Sequence, residues 1–282
     1  MSNNVITIAI TGANGYLGSQ LVNYLEANGI TCIKLVRNPQ KTNERKFILG
    51  ENLSVETLQN VDYLIHAAYD FSLKDPQESS QINIDGTIKL LNLANKANLK
   101  SVIYISSMSS FAKSKSIYGQ NKFKVEKYIQ ENNLPAVIIR PGLIYGEPLG
   151  GIMAKLKAIS KLPVLPYITI SAPLYLCHIN DLSHLIQYII INADNFRNKQ
   201  VLIAANDTPF SFKQILQTLG AKFLIPIPWQ PLWLILKFVE LIRLKPRMGS
   251  DNLISLVYQN PTPDFINAKH LNIRFQAFKD KK

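Results

Sequence analysis

The sequence predicts a doubly wound α/β fold: a parallel sheet covered by helices, with a small second lobe. Three observations predict it. Apolar runs of strand length alternate with amphipathic stretches of helix length over most of the chain. Several runs, such as Val102 to Ile105, are apolar without interruption, which implies burial on both faces and hence a parallel sheet. The first run also leads straight into a glycine-spaced turn that opens a helix.

Taken in order, the expected strands are Val5 to Thr11, Thr31 to Arg37, Phe47 to Leu49, Tyr63 to Ala67, Ser101 to Ser106, Ala136 to Arg140, Leu174 to His178 and Val201 to Ala204. Helical periodicity fills Tyr16 to Asn28, Asp75 to Ala97, Tyr118 to Asn132 and Asp181 to Ile191. The pattern loosens at Gly146 to Pro173, which carries Pro148, Pro163, Pro166 and Pro173, and again from Asn206 onward. The expected organisation is a sheet domain from 1–146 and 174–205, with a smaller lobe from 147–173 and 206–282 over the carboxyl ends of the strands.

Composition bounds the function classes. The chain has 282 residues, 47% hydrophobic and 18% charged, enough for one large core and ordinary for a soluble globular protein. Met-Ser-Asn-Asn lacks the features of a secretory signal. The longest apolar stretch, Trp229 to Leu244, is interrupted by Lys237, Glu240 and Arg243, too short and too charged to span a bilayer. Its Leu232, Ile235, Leu236, Val239 and Ile242 recur at helical spacing and read as a stripe over the lobe core, with a dimer face or peripheral membrane contact as the alternatives. Cys32 and Cys177 fall in expected strands and read as reduced core residues of a cytoplasmic protein.

The formal net charge is +12. Scattered lysines argue against a nucleic-acid face. Leu232 to Lys245 is a weak basic amphipathic helix. The favoured reading is anionic small-molecule partners, a dinucleotide and a phosphorylated substrate, with an undirected basic surface as the plain alternative.

Strand Val5 to Ile10 runs into Thr11-Gly-Ala-Asn-Gly-Tyr-Leu-Gly18. Gly12 suits the tight turn, Gly15 removes a Cβ from the path of a pyrophosphate, and Gly18 allows close helix–sheet packing. The helix N-terminus then offers N–H groups and a positive dipole end to the phosphates. The second strand ends Leu35-Val36-Arg37-Asn38-Pro39, with no acid to grip a ribose 2′-OH. Arg37 is a candidate partner for a 2′-phosphate, which favours NADP over NAD; a solvated arginine is the other reading.

Tyr118 and Lys122 lie four residues apart at a helix start, on one face. An ammonium beside a phenol favours the phenolate. Bringing a phenol from about pKa 10 to neutrality takes roughly 4 kcal/mol, which Lys122 and a positive nicotinamide ring are placed to supply in large part. Ser106 and Ser107 end a strand at the carboxyl edge of the sheet, where Ser107 is a candidate donor to a substrate oxygen; capping a strand end is the other reading.

These motifs resemble the extended short-chain dehydrogenases/reductases, in the NAD-dependent epimerase/dehydratase branch. The resemblance spans nearly the whole chain: Thr11-Gly-x-x-Gly-x-x-Gly18, His66-Ala67-Ala68, Asn83-x-x-Gly86-Thr87, Ser106-Ser107, Tyr118-x-x-x-Lys122, Arg140-Pro141-Gly142-x-x-Tyr145-Gly146 and His178-x-x-Asp181. It implies a Rossmann-type fold and a catalytic Ser107, Tyr118 and Lys122. It implies cofactor contacts at Gly12, Asn14, Gly15, Tyr16, Leu17, Gly18, Arg37, Ala67, Ala68, Tyr118, Lys122, Pro141 and Gly142. His178 and Asp181 are expected to position a strand and helix.

Two departures stand out. Phe111-Ala112 replaces the family's Tyr-Gly pair, and the stretch from Ser107 to Tyr118 is short. Met108 and Ser109 stand where 4,6-dehydratases of this family carry Asp-Glu, which sets dehydration aside. Reduction or epimerisation at a keto or hydroxy carbon of a nucleotide sugar remains, with neutral keto substrates a further option; Arg243, Lys245 and Arg247 are candidates for a diphosphate, a solvated basic helix end being the other reading. The rival reading is a non-catalytic dinucleotide-binding sensor or assembly protein on the same fold.

Overall fold

The computed structural model describes residues 6–73, 75–196, 201–242, 249–265, 271 and 273–279. In chain order they form β1 (Thr7–Thr11), α1 (Tyr16–Ala27), β2 (Thr31–Val36), β3 (Glu44–Lys46), β4 (Tyr63–His66), α2 (Pro76–Ser80), α3 (Gly86–Lys96), β5 (Ser101–Ile105), α4 (Ile117–Glu131), β6 (Ala136–Pro141), β7 (Leu143–Tyr145), α5 (Gly151–Ile159), β8 (Val164–Ile168), β9 (Leu176–His178), α6 (Ile179–Ile191), β10 (Val201–Ala204), α7 (Phe212–Thr218), β11 (Phe223–Ile227), α8 (Trp229–Leu241) and α9 (Ser250–Val257). The chain divides into two compact units, one of Met1–Ser106, Asn121–Arg140 and Ile179–Leu202, the other of Ser107–Gln120, Pro141–His178 and Ile203–Lys282.

A seven-stranded sheet of order β10-β6-β5-β4-β1-β2-β3 underlies the first unit. The register is parallel throughout β1 to β6, with Thr11 opposite Leu35 on one side and His66 on the other. The winding reverses about β1, so the carboxyl ends of β1 and β4 flank the switch point where ligands bind in such sheets. Ile8, Ile10, Leu64, Ile65, Ile103 and Ile139 are buried, as strands covered on both faces require. The Rossmann-like α/β architecture read from the sequence is therefore the one observed.

Three local expectations need correction here. The third strand is Glu44–Lys46, not Phe47 to Leu49. Among the described residues it pairs only with β2, at the sheet edge, where a polar strand is tolerated, while Phe47 turns into the core. The helix expected over Asp75 to Ala97 is broken by a π-turn at Gln81–Asp85. There Asn83 accepts from Asp70 N–H at 2.7 Å and donates to Asp70 C=O at 3.2 Å, holding the chain beyond β4. Lastly, the strand expected at Leu174 to His178 is shorter, and β9 pairs with β7 rather than with the main sheet.

The second unit carries two small parallel ladders, β8–β11 and β7–β9. Its core gathers Met153, Leu156, Leu165, Leu176, Ile215 and Leu253. The strands β7, β8 and β11 and helix α5 escaped the sequence reading. Pro166 and Pro226 argue against strands, yet a two-stranded ladder is all edge and leaves room for an imide nitrogen. The stripe expected on the helix from Trp229 is split. Leu232 and Leu236 pack on the core, whereas Ile235 and Ile242 are exposed. Leu244 lies outside the described residues, as do Val5, Arg243, Lys245 and Arg247.

Candidate active site

The glycine turn folds as its spacing demands. Gly12 sits at φ +68°, in the left-handed region, and Gly15 N–H donates to Gly12 C=O at 2.9 Å. A Cβ on Gly18 would stand 2.2 Å from the Gly12 oxygen and 2.8 Å from Ala13 Cα, so only glycine lets α1 approach β1 this closely. Gly15 is the N-cap of α1, and among the described residues no side chain caps the helix. Asn14 and Gly15 are exposed, Tyr16 and Leu17 half-buried. An uncapped helix start above a bare glycine turn fits a pyrophosphate.

Beside it, a buried hydrogen-bond chain fixes residues 66–68. The Thr11 Oγ1 accepts the N–H groups of Ala67 and Ala68, each at 3.1 Å. Its single proton is thereby directed to His66 Nδ1 at 2.8 Å. His66 is then the Nε2–H tautomer and donates to Thr87 Oγ1 at 2.9 Å, while Thr87 O–H donates to Asn83 C=O at 2.7 Å. Every proton in the chain has one direction, and a second proton on His66 has no acceptor. Burial, aided by the Lys122 charge, pushes its pKa down to about 3.

Stability follows with a definite sign. The unfolded chain protonates His66 near pH 6.5 and the folded protein only near 3. Stability is complete above 6.5 and falls with pH through this window, by about 2 kcal/mol by pH 5. A His66→Gln variant should show a shallower acid dependence of its unfolding midpoint; equal slopes would remove His66 as the cause.

Arg37 follows β2 and is largely exposed. It lies 3.4 Å from Asp70, an acid the sequence reading missed because it sits 33 residues away.

Lys122 is fully buried in α4. Its ammonium donates to Ile105 C=O at 2.7 Å and lies 4.7 Å and 5.5 Å from the centres of the Tyr104 and Tyr69 rings. Asn121 steadies Tyr69 by donating to its hydroxyl at 3.2 Å. Burial pushes the Lys122 pKa down to about 7, against the pull of Glu126. Among the described residues the ammonium makes this one hydrogen bond, which leaves N–H donors for a ribose hydroxyl of a bound dinucleotide. Glu126, one turn further along α4, accepts from Ser106 Oγ and from both Nε and a terminal nitrogen of Arg140. Sequence reasoning missed Glu126, though its place one turn beyond Lys122 was available as a signal.

Ser107 and Tyr118 belong to the second unit. The Ser107 hydroxyl accepts from Ser109 N–H at 3.1 Å, which leaves its proton to donate. Tyr118 is one turn before Lys122 in α4. The start of α4 is capped by a distant residue: Asp251 accepts Ile117 N–H at 2.6 Å and Tyr118 N–H at 3.0 Å. Helix α9 also meets the Ser107 end of this segment, with Ser255 Oγ 2.8 Å from Ser109 Oγ. The backbone at Pro141 and Gly142 is tied down, Pro141 C=O accepting from Met108 N–H and Gly142 N–H donating to Ala204 C=O. His178 packs edge-on to Tyr145 at 5.0 Å, and Asp181 is buried in the first turn of α6.

Residues 8–204 match the NAD dependent epimerase/dehydratase family. The ceramide reductase of Caulobacter vibrioides (strain NA1000 / CB15N) is 25% identical over 183 residues, 62% of this chain and 57% of that protein. The photosystem II assembly factor Ycf39 of Trieres chinensis is 29% identical over 143 residues, 48% of this chain and 45% of that protein. The chain thus spans about half the length of these curated relatives. The UDP-N-acetylglucosamine 4-epimerase structure from Bacillus cereus superposes with a TM-score of 0.65 at 17% identity, covering 89% of this chain and 98% of that one, a likeness of fold. No helix among the described residues is long and apolar enough to cross a membrane. With the motif order, the sheet and the matched span in agreement, the chain belongs to the NAD dependent epimerase/dehydratase family.

Proposed function

We propose that the chain is an NADP-dependent reductase acting on a keto group of a nucleotide sugar, with Ser107, Tyr118 and Lys122 as its catalytic residues. The observation that carries this reading is the buried Lys122 ammonium with donors to spare, one helical turn from Tyr118. A bound nicotinamide supplies the hydride. Ser107 donates a hydrogen bond to the substrate oxygen, Tyr118 delivers a proton to it, and Lys122 favours the phenolate left behind. Gly12, Asn14, Gly15, Tyr16, Leu17 and Gly18 hold the pyrophosphate. Ala67, Ala68, Pro141 and Gly142 flank the cofactor through their backbone. The net charge of +12 suits a diphosphate-bearing substrate. Epimerisation uses the same three residues and differs in retaining its cofactor. Titration of the protein with NADPH and NADH, after assaying for dinucleotide released on denaturation, separates them: an empty site preferring NADPH supports the reductase, and tightly retained NAD overturns it.

Arg37 is the residue proposed to read the 2′-phosphate. A charge-assisted hydrogen bond is worth about 1.5–3 kcal/mol, so Arg37→Ser should weaken NADPH binding roughly 10- to 100-fold and leave NADH binding unchanged. Equal affinities before and after substitution would remove Arg37 from cofactor selection.

A second reading is favoured by the likeness to the Ycf39 assembly factor. In it the chain binds a dinucleotide without turning over a substrate. It retains Tyr118 and Lys122, which a non-catalytic subunit has no need of.

A further inference from the structure

Helix α8 carries two apolar faces, parted on one side by Gln230, Lys237 and Glu240. One face, with Trp229, Leu232, Trp233 and Leu236, packs on the core of the second unit. At 100° per residue, Leu234, Ile235, Phe238, Leu241 and Ile242 fall within one sector about 120° wide on another face. All five are more than half exposed, and Leu241 reaches 79%. The helix cannot rotate to hide them without uncovering Leu232 and Leu236. Strand β11, which ends one residue before Pro228, exposes Phe223 and Ile225 as well. Soluble proteins rarely leave so many large apolar side chains together in water.

We infer that this outer face of α8 docks the protein on an anionic lipid surface, lying in the plane of the interface. The charge pattern selects this occupant. Lys237 lies in α8 against the single acid Glu240, and the chain as a whole carries a net charge of +12. Glu240 is turned to α9, accepting from Ser250 N–H at 2.9 Å and Ser250 O–H at 2.7 Å. A second copy would bring its own charge of +12 to the contact, whereas anionic headgroups attract Lys237 and a chain of this net charge. Thirteen residues make a helix of about 20 Å, too short to span a bilayer and suited to lying along it. The docking is independent of the roles given to Tyr118 and Lys122.

The test is co-sedimentation of the full chain with phosphatidylglycerol–phosphatidylcholine vesicles and with phosphatidylcholine vesicles alone, beside sedimentation velocity without lipid. Binding to the anionic vesicles, weakened at high salt and on Lys237→Glu, is expected. The triple variant Leu234→Ser, Phe238→Ser, Leu241→Ser should lose roughly tenfold or more of that binding, since each side chain removes buried apolar area. Its circular dichroism and NADPH binding should stay unchanged, which separates lost docking from lost folding. Absence of binding to anionic vesicles, equal binding to neutral ones, or a stable dimer that the triple variant dissolves would each overturn the inference.

Discussion

Replacing Tyr118 by phenylalanine is expected to lower turnover roughly 10³-fold, the worth of a positioned general acid, while leaving NADPH binding intact. The substitution removes one oxygen and keeps the ring. The Asp251 cap grips the backbone of residues 117 and 118, so the start of α4 should hold its course. Lys122 keeps its bond to Ile105 C=O and its place beside Tyr104 and Tyr69, so the donors offered to the cofactor are unchanged. Loss of rate with an unaltered dissociation constant therefore isolates proton transfer. The measurement is steady-state reduction of keto substrates alongside NADPH fluorescence titration. Full activity in the variant would sink the mechanism. If neither protein turns over any substrate and both bind NADPH, the non-catalytic reading takes its place.

Local chemistry was legible in the sequence; long-range chemistry was not. The glycine turn, the strands with uninterrupted apolar runs and the Tyr118–Lys122 spacing involve contacts within a few residues, where chain geometry fixes who meets whom. The Asp251 carboxylate that caps Tyr118 lies 133 residues away, and nothing in the pattern around either residue points to the other. Asp70 beside Arg37 is hidden for the same reason, 33 residues along the chain from it. The ladder β8–β11 was lost because proline signals a break, a rule that weakens where every strand is an edge. Helix α8 deceived in another way. Its apolar residues cover two faces, and a stripe at helical spacing does not say which face is core: Leu232 and Leu236 pack inward while Ile235 and Ile242 face out.

The largest stability effect is expected at Glu126, which the sequence reading passed over. Its side chain is 2% exposed and takes four hydrogen bonds, one from Ser106 and three from Arg140 on β6, whose Nε reaches both carboxylate oxygens. Arg140 is itself only 19% exposed. Glu126→Ala would leave a buried guanidinium unpaired and a serine hydroxyl without its acceptor. Breaking a buried pair from one side costs about 3–5 kcal/mol, which for a chain of this size lowers the melting temperature by roughly 10 °C. Removing both charges is a different experiment. Glu126→Leu with Arg140→Leu abolishes the unpaired charge along with the pair, and such replacements are often neutral. The double variant should therefore regain most of the melting temperature lost by the single one. It should not regain the Lys122 environment, because the carboxylate that raises the Lys122 pKa is gone and burial is left unopposed. The ammonium then deprotonates below about pH 7, and activity that depends on its charge should fail at lower pH than in the parent. Thermal melts of the parent, single and double variants, with pH–rate profiles of the parent and double variant, decide it. A double variant as unstable as the single one would show that the cost lies in packing, and an unshifted profile would detach Glu126 from Lys122.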